Sequence, residues 1–92
     1  MPTLSAAEIA SHLKSRPQWR IEGSELVRTF QFEKFPDAVA FVDKVAVLAE
    51  EAGHHPDIDI RYNRVRLALT THDEGGLTSK DFAVAAGADR LA

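Results

Sequence analysis

Two periods of apolar spacing alternate along the chain. Ile9 and Leu13 are four apart behind Ser5-Ala6-Ala7-Glu8, a capping box in which the Ser oxygen takes a free amide and the Glu reaches back. This predicts a helix that Pro17 ends, because proline biases Arg16 away from helical angles. From Gln18 to Glu22 the period drops to two, with Trp19 and Ile21 on one face. Glu22-Gly23-Ser24-Glu25 reads as a turn. Leu26 to Phe32 reads as the returning strand of a hairpin, with Leu26, Phe30 and Phe32 on one face and Val27, Thr29 and Gln31 on the other. Arg28 interrupts the apolar face, and nothing in the sequence accounts for it.

Phe35-Pro36-Asp37 opens the longest helix, since proline is tolerated in a first turn and Asp there complements the helix dipole. Val39, Val42, Val45 or Ala46, and Ala49 form one stripe; Ala38, Phe41, Val45, Leu48 and Ala52 form a second beside it. The wide face predicts a helix packed on the sheet and against something else. Gly53 is the stop signal. Asp57 to Arg61 alternates again, with Ile58, Ile60 and Tyr62 expected inward and Asp57, Asp59 and Arg61 outward. After a tight turn at Tyr62-Asn63-Arg64, Val65, Leu67, Leu69 and Thr71 mark the last strand, alternating with Arg64, Arg66, Ala68 and Thr70. Asp57, Asp59, Arg61, Arg64 and Arg66 read as cross-strand charge pairs on a solvated face. Asp73-Glu74-Gly75-Gly76 is a loop, and Thr78-Ser79-Lys80-Asp81 is a second capping box leading into Phe82, Ala85, Ala86 and Ala88. The order is helix, strand, strand, helix, strand, strand, helix. It predicts an α+β fold, a single domain over residues 1–92.

Size and charge narrow the classes. A chain of 92 residues buries only about two-thirds of its unfolded surface. With no cysteine, its stability must come from one core, extended by self-association. The net charge is −3 and the 11 basic residues are scattered, which argues against a nucleic-acid partner. The longest uncharged apolar run, Val45 to Ala49, is too short to span a membrane. No basic segment followed by an apolar stretch marks a signal peptide, so the cytoplasm is the expected location.

The chemistry gathers around Glu50-Glu51-Ala52-Gly53-His54-His55-Pro56. If the second hairpin turns at Asn63, His54 falls opposite His72 and His55 opposite Thr71, give or take one position. Glu50 lies one helical turn before His54, and Asp81 sits in the first turn of the last helix. Three histidines and a carboxylate thereby meet at one end of the sheet. Free imidazole titrates at about 6.5, so it gives and takes protons near neutrality, and a carboxylate can fix its tautomer. That suits a reaction limited by proton movement. No serine has the context of an activated nucleophile. Gly75-Gly76 is too short for a phosphate loop and does not open directly into a helix.

Glu50, three residues, His54-His55-Pro56, five residues, Tyr62, nine residues, His72, eight residues, Asp81 resembles the signature of the pterin-4a-carbinolamine dehydratase family. Trp19, Phe30-Gln31-Phe32, Ala49-Glu50, Thr71-His72 and Gly76-Leu77-Thr78 agree with it, so the resemblance runs from Trp19 to the C-terminus. It implies a four-stranded antiparallel sheet with helices on one face. It implies a lyase, 4a-hydroxytetrahydrobiopterin dehydratase, that removes water from 4a-hydroxytetrahydropterin to give quinonoid dihydropterin in tetrahydropterin recycling. It further implies no metal or prosthetic group, and a homodimer or homotetramer. By analogy His54 and His72 act as acids toward the hydroxyl. His55 binds the pterin and accepts the N5 proton, Asp81 orients an imidazole, and Glu50 and Pro56 complete the binding residues. Two other classes compete: a metal site on His54, His55, His72 and Asp81, which adjacent rings on opposite faces make awkward, and a module that helps a partner helix dimerise.

Overall fold

Ser5 forms the predicted cap: its hydroxyl accepts the Glu8 amide at 3.1 Å and its own amide donates to the Glu8 carboxylate at 2.8 Å. That bond to the Ser5 amide, with the hydroxyl second, holds the Glu8 carboxyl below its ordinary value. In the computed structural model, which describes residues 3–92, helix α1 (Ala6–Ser15) follows from this cap. Then come strands β1 (Arg20–Glu22) and β2 (Glu25–Gln31), helix α2 (Phe35–Ala52), strands β3 (Asp57–Arg61) and β4 (Arg64–Leu69), one 3₁₀ turn at His72–Glu74, and helix α3 (Ser79–Leu91). The order is the predicted one, and the fold is α+β. Residues 1 and 2, which the single-domain expectation includes, lie outside the described residues.

The sheet is antiparallel in the order β1-β2-β4-β3. Its register pairs Leu26 with Leu69 and Phe30 with Val65, which puts these apolar side chains on one face. Phe41 and Val45 of α2 and Phe82, Val84, Ala85 and Ala88 of α3 join them in the core. Each such side chain contributes about 1.5–3 kcal/mol when fully buried. On α2 the buried residues are Ala38, Phe41, Val45 and Ala49. Ala46 and Ala52 are exposed, so the buried face is narrower than the two predicted stripes. The neighbour beside α2 is α3, with Leu48 against Gly87. No described helix is long and apolar enough to cross a membrane.

Local details refine the expectations, and Arg28 gains an explanation. Trp19 precedes β1 instead of lying in it; it is 3% exposed, and its indole donates to Asp89 at 2.9 Å. Arg28 finds its reason on the same residue: the guanidinium reaches Asp89 at 2.6 Å and lies 4.0 Å above the Phe30 ring, a cation over an aromatic face. Finally, Ile58 and Ile60 do lie on the helix side of the sheet, opposite Leu67 and Val65. Yet they stay 38% and 39% exposed, because β3 is an edge strand. Tyr62 does not point inward. It sits in the turn with φ 53, a left-handed conformation that side chains resist. The turn is tied to the residue that follows β2 by Asn63, whose side-chain amide donates to Phe32 O at 2.7 Å.

The charges on the outer face also pair differently from the expectation. Arg66 reaches Glu22 at 2.8 Å, and Arg61 pairs with Asp59 of its own strand at 3.0 Å. Hydrogen bonds from Arg20 and then Arg66 hold the Glu22 carboxyl below its ordinary value.

Candidate active site

Gly53 takes the left-handed conformation, φ 62 and ψ 30, which glycine adopts without the steric cost of a Cβ. The chain therefore leaves the axis of α2, and the His54 amide closes on Ala49 O at 3.1 Å. The two adjacent rings then meet opposite environments. His54 is drawn in, with 11% of its side chain exposed, and its Nε2 lies 2.6 Å from Oδ1 of Asp81. His55 stays out, 62% exposed, with Nε2 2.7 Å from Oε1 of Glu50.

The other wall comes from the chain beyond β4. Thr71 and Gly76 form an isolated bridge, and Gly75 turns the loop with φ 72. The 3₁₀ turn inside this loop starts at His72 and leaves it exposed. Thr78 then caps α3. Asp81 accepts the Thr78 amide at 2.9 Å on Oδ2, and the same oxygen accepts the Thr71 hydroxyl at 2.8 Å. Asp81 is fully buried. It is at once a helix cap and the partner of an imidazole.

These walls enclose an open cavity of about 320 Å³ lined by Gly53, His54, His55, Thr71, His72 and Lys80, among others. The volume is at the small end for organic ligands. The three histidines converge on it. Asp81 lies beneath His54, Glu50 stands behind His55, and Pro56 does not line the cavity. The ladder itself stops at Asp57 opposite Ala68, so the histidines meet across space and not as strand partners. Sequence reasoning missed Thr71 and Lys80. Lys80 immediately precedes Asp81 in the first turn of α3, and that adjacency was the available signal. Among the described residues no three His, Asp or Glu side chains form a ligand set for a metal ion. Chemically, the site offers imidazoles that exchange protons, one of them backed by a buried carboxylate, and a lysine at the rim.

Comparison with known proteins identifies the family. The family model described as "Pterin 4 alpha carbinolamine dehydratase" matches residues 2–91. A protein of Chloroflexus aurantiacus named "Putative pterin-4-alpha-carbinolamine dehydratase" is 68% identical over 91 residues, 99% of this chain and 98% of that one. A protein of the same name from Acidobacterium capsulatum is 55% identical over 91 residues, 99% of each chain. The crystal structure of a transcriptional coactivator/pterin dehydratase from Brucella melitensis superposes with a TM-score of 0.93 at 33% identity, covering 98% of each chain. A pterin dehydratase-like protein identified as a RuBisCO assembly factor in the alpha-carboxysome superposes at 0.71 with 32% identity, over 80% of this chain and 88% of that one. By the extent of the family match and these identities, the chain belongs to the pterin-4-alpha-carbinolamine dehydratase family.

Proposed function

We propose that the protein dehydrates 4a-hydroxytetrahydropterins to quinonoid dihydropterins, as a recycling step for a tetrahydropterin cofactor. The observation that carries the reading is the meeting of His54, His55 and His72 around one cavity, in a chain of this family. The hydroxyl on C4a leaves poorly until it is protonated. His54 and His72 serve as the acids toward it, and it departs as water with the C4a–O electron pair. His55 accepts the N5 proton, and the N–H pair becomes the N5=C4a double bond. Glu50, 2.7 Å from His55, orients that ring, as Asp81 orients His54. Pro56 shapes the chain that carries both rings. One placed acid or base typically contributes about 10²- to 10⁴-fold in rate. The test is to add the protein to freshly made 4a-hydroxytetrahydropterin and follow the ultraviolet change. No acceleration over the spontaneous reaction sinks the reading.

The same reading includes self-association, as a homodimer or a dimer of dimers, and a cytoplasmic location. Self-association is supported by the edge strand β3, whose Ile58 and Ile60 are over a third exposed; such edges invite pairing. Light scattering behind size-exclusion chromatography checks it, and a monomer at every concentration counts against it. A second reading, a protein-interaction module for a partner helix, draws on the two solved relatives described as a coactivator and as an assembly factor. A pull-down that recovers only this chain argues against it.

A further inference from the structure

We propose that the Thr71 hydroxyl, supported by that of Thr78, is a positioning group that keeps the ring proton of neutral His54 on Nε2, leaving Nδ1 as the atom that exchanges protons in the cavity. The catalytic half of this inference rests on the proposed dehydration. The tautomer rests on geometry alone.

The argument is a count of protons. Asp81 is fully buried, and as a carboxylate it only accepts. Its Oδ2 receives the Thr78 amide at 2.9 Å and the Thr71 hydroxyl at 2.8 Å. Thr71 has one hydroxyl proton, and this bond uses it. The contact of 2.9 Å between the Thr71 and Thr78 hydroxyl oxygens must then be donated by Thr78. Thr78 in turn accepts the Lys80 amide at 3.3 Å. Every donor in this chain points toward Asp81, and successive bonds polarise one another. Oδ1 remains, 2.6 Å from His54 Nε2, and a carboxylate there requires Nε2 to donate. The neutral ring is then the Nε2–H tautomer with its lone pair on Nδ1, and the acid toward the hydroxyl is the imidazolium, which gives up its Nδ1 proton and returns to this tautomer.

Access agrees. No buried side-chain nitrogen or oxygen among the described residues lacks a hydrogen-bond partner. His54 lines the cavity and its Nε2 is taken by Asp81, which leaves Nδ1 as the ring nitrogen available to a ligand there. Without the Thr71 hydroxyl, Oδ2 loses a donor and the carboxyl group is free to turn or to take up a proton. A protonated Asp81 can donate to Nε2, which moves the ring proton to Nδ1 and inverts the face presented to substrate.

Two measurements test this. In ¹⁵N-labelled wild-type protein, long-range ¹H–¹⁵N spectra of the imidazoles read the tautomer of His54 in its neutral form. The expected result is the Nε2–H pattern; the Nδ1–H pattern overturns the proposal whether or not the protein is a dehydratase. In the dehydration assay, the isosteric variant Thr71→Val is expected to lose about tenfold in kcat with KM within about twofold. Thr71→Ser, which restores the hydroxyl, is expected to recover most of that loss. A Thr71→Val enzyme at full kcat overturns the positioning role. So does a Thr71→Ser enzyme that folds like wild type yet is no faster than Thr71→Val. Absence of dehydration by the wild type defeats the proposed function and leaves the spectra to decide the tautomer.

Discussion

The guanidinium of Arg28, in the middle of β2, reaches Oδ1 of Asp89 at 2.6 Å in the last turns of α3. Asp89 also takes the Trp19 indole and Arg16, so one carboxylate joins the chain before β1, the sheet and the last helix. Asp89→Asn leaves Arg28, only 21% exposed, without its counter-charge. It should lower stability by about 2–3 kcal/mol in urea denaturation. Asp89 lies eight residues beyond Asp81 along α3, about 12 Å. The dehydration rate of the folded variant should therefore stay near wild type.

The histidines should separate when activity and stability are measured together. His54→Ala and His72→Ala should each reduce dehydration by about 10²- to 10⁴-fold. His72→Ala should leave the thermal midpoint unchanged, because His72 is exposed. His54→Ala should lower it, because the buried Asp81 carboxylate loses a donor. Full activity in both variants contradicts the assigned roles.

Gly87 packs against Leu48. A Cβ at position 87 meets Leu48 Cδ2 at 2.7 Å and Cδ1 at 2.9 Å. Alanine is the better helix former by about 1 kcal/mol, while overpacking costs about 1–3 kcal/mol. The Leu48 methyls are the end of a flexible, half-buried side chain and can turn aside, so Gly87→Ala should change stability by less than about 1 kcal/mol in the wild-type background. In a Leu48→Ala background the same change should stabilise more, and a double-mutant cycle reads the difference.

Acid should weaken the outer face of the sheet. The folded Glu22 carboxyl titrates below its ordinary value, chiefly through its hydrogen bond from Arg20. Its stabilisation is present above the unfolded value and is lost as the pH falls through the folded one. Glu22→Gln should make the thermal midpoint less dependent on pH below about 4.5. Parallel slopes for the two proteins contradict this.

Local signals made the fold readable. Both capping boxes, the Gly53 stop and the period-two strands depend on residues within a few positions of one another; the caps and the stop form as expected, and the strands form in the expected order with the first and last shorter than expected. The meeting of three histidines was readable because a hairpin carries its own register. Bonds between distant segments were not. The partner of Arg28 lies 61 residues away, and alternation in β3 reports the face of a strand without saying whether a helix covers it. Thr71 looked like one more strand residue, because its bond to Asp81 appears only once the loop after β4 has closed.

The double duty of Asp81 has a bearing on descent. A lineage that gives up the chemistry still needs α3 to start, so Asp81 and Thr78 remain under selection for folding. His55, His72 and Lys80 are exposed and support no buried bond, so on the proposed chemistry only turnover constrains the two histidines. In a distant relative, an aspartate at this position is accounted for by the helix alone, and on the proposed chemistry the imidazoles are the residues that distinguish an enzyme from an inherited fold.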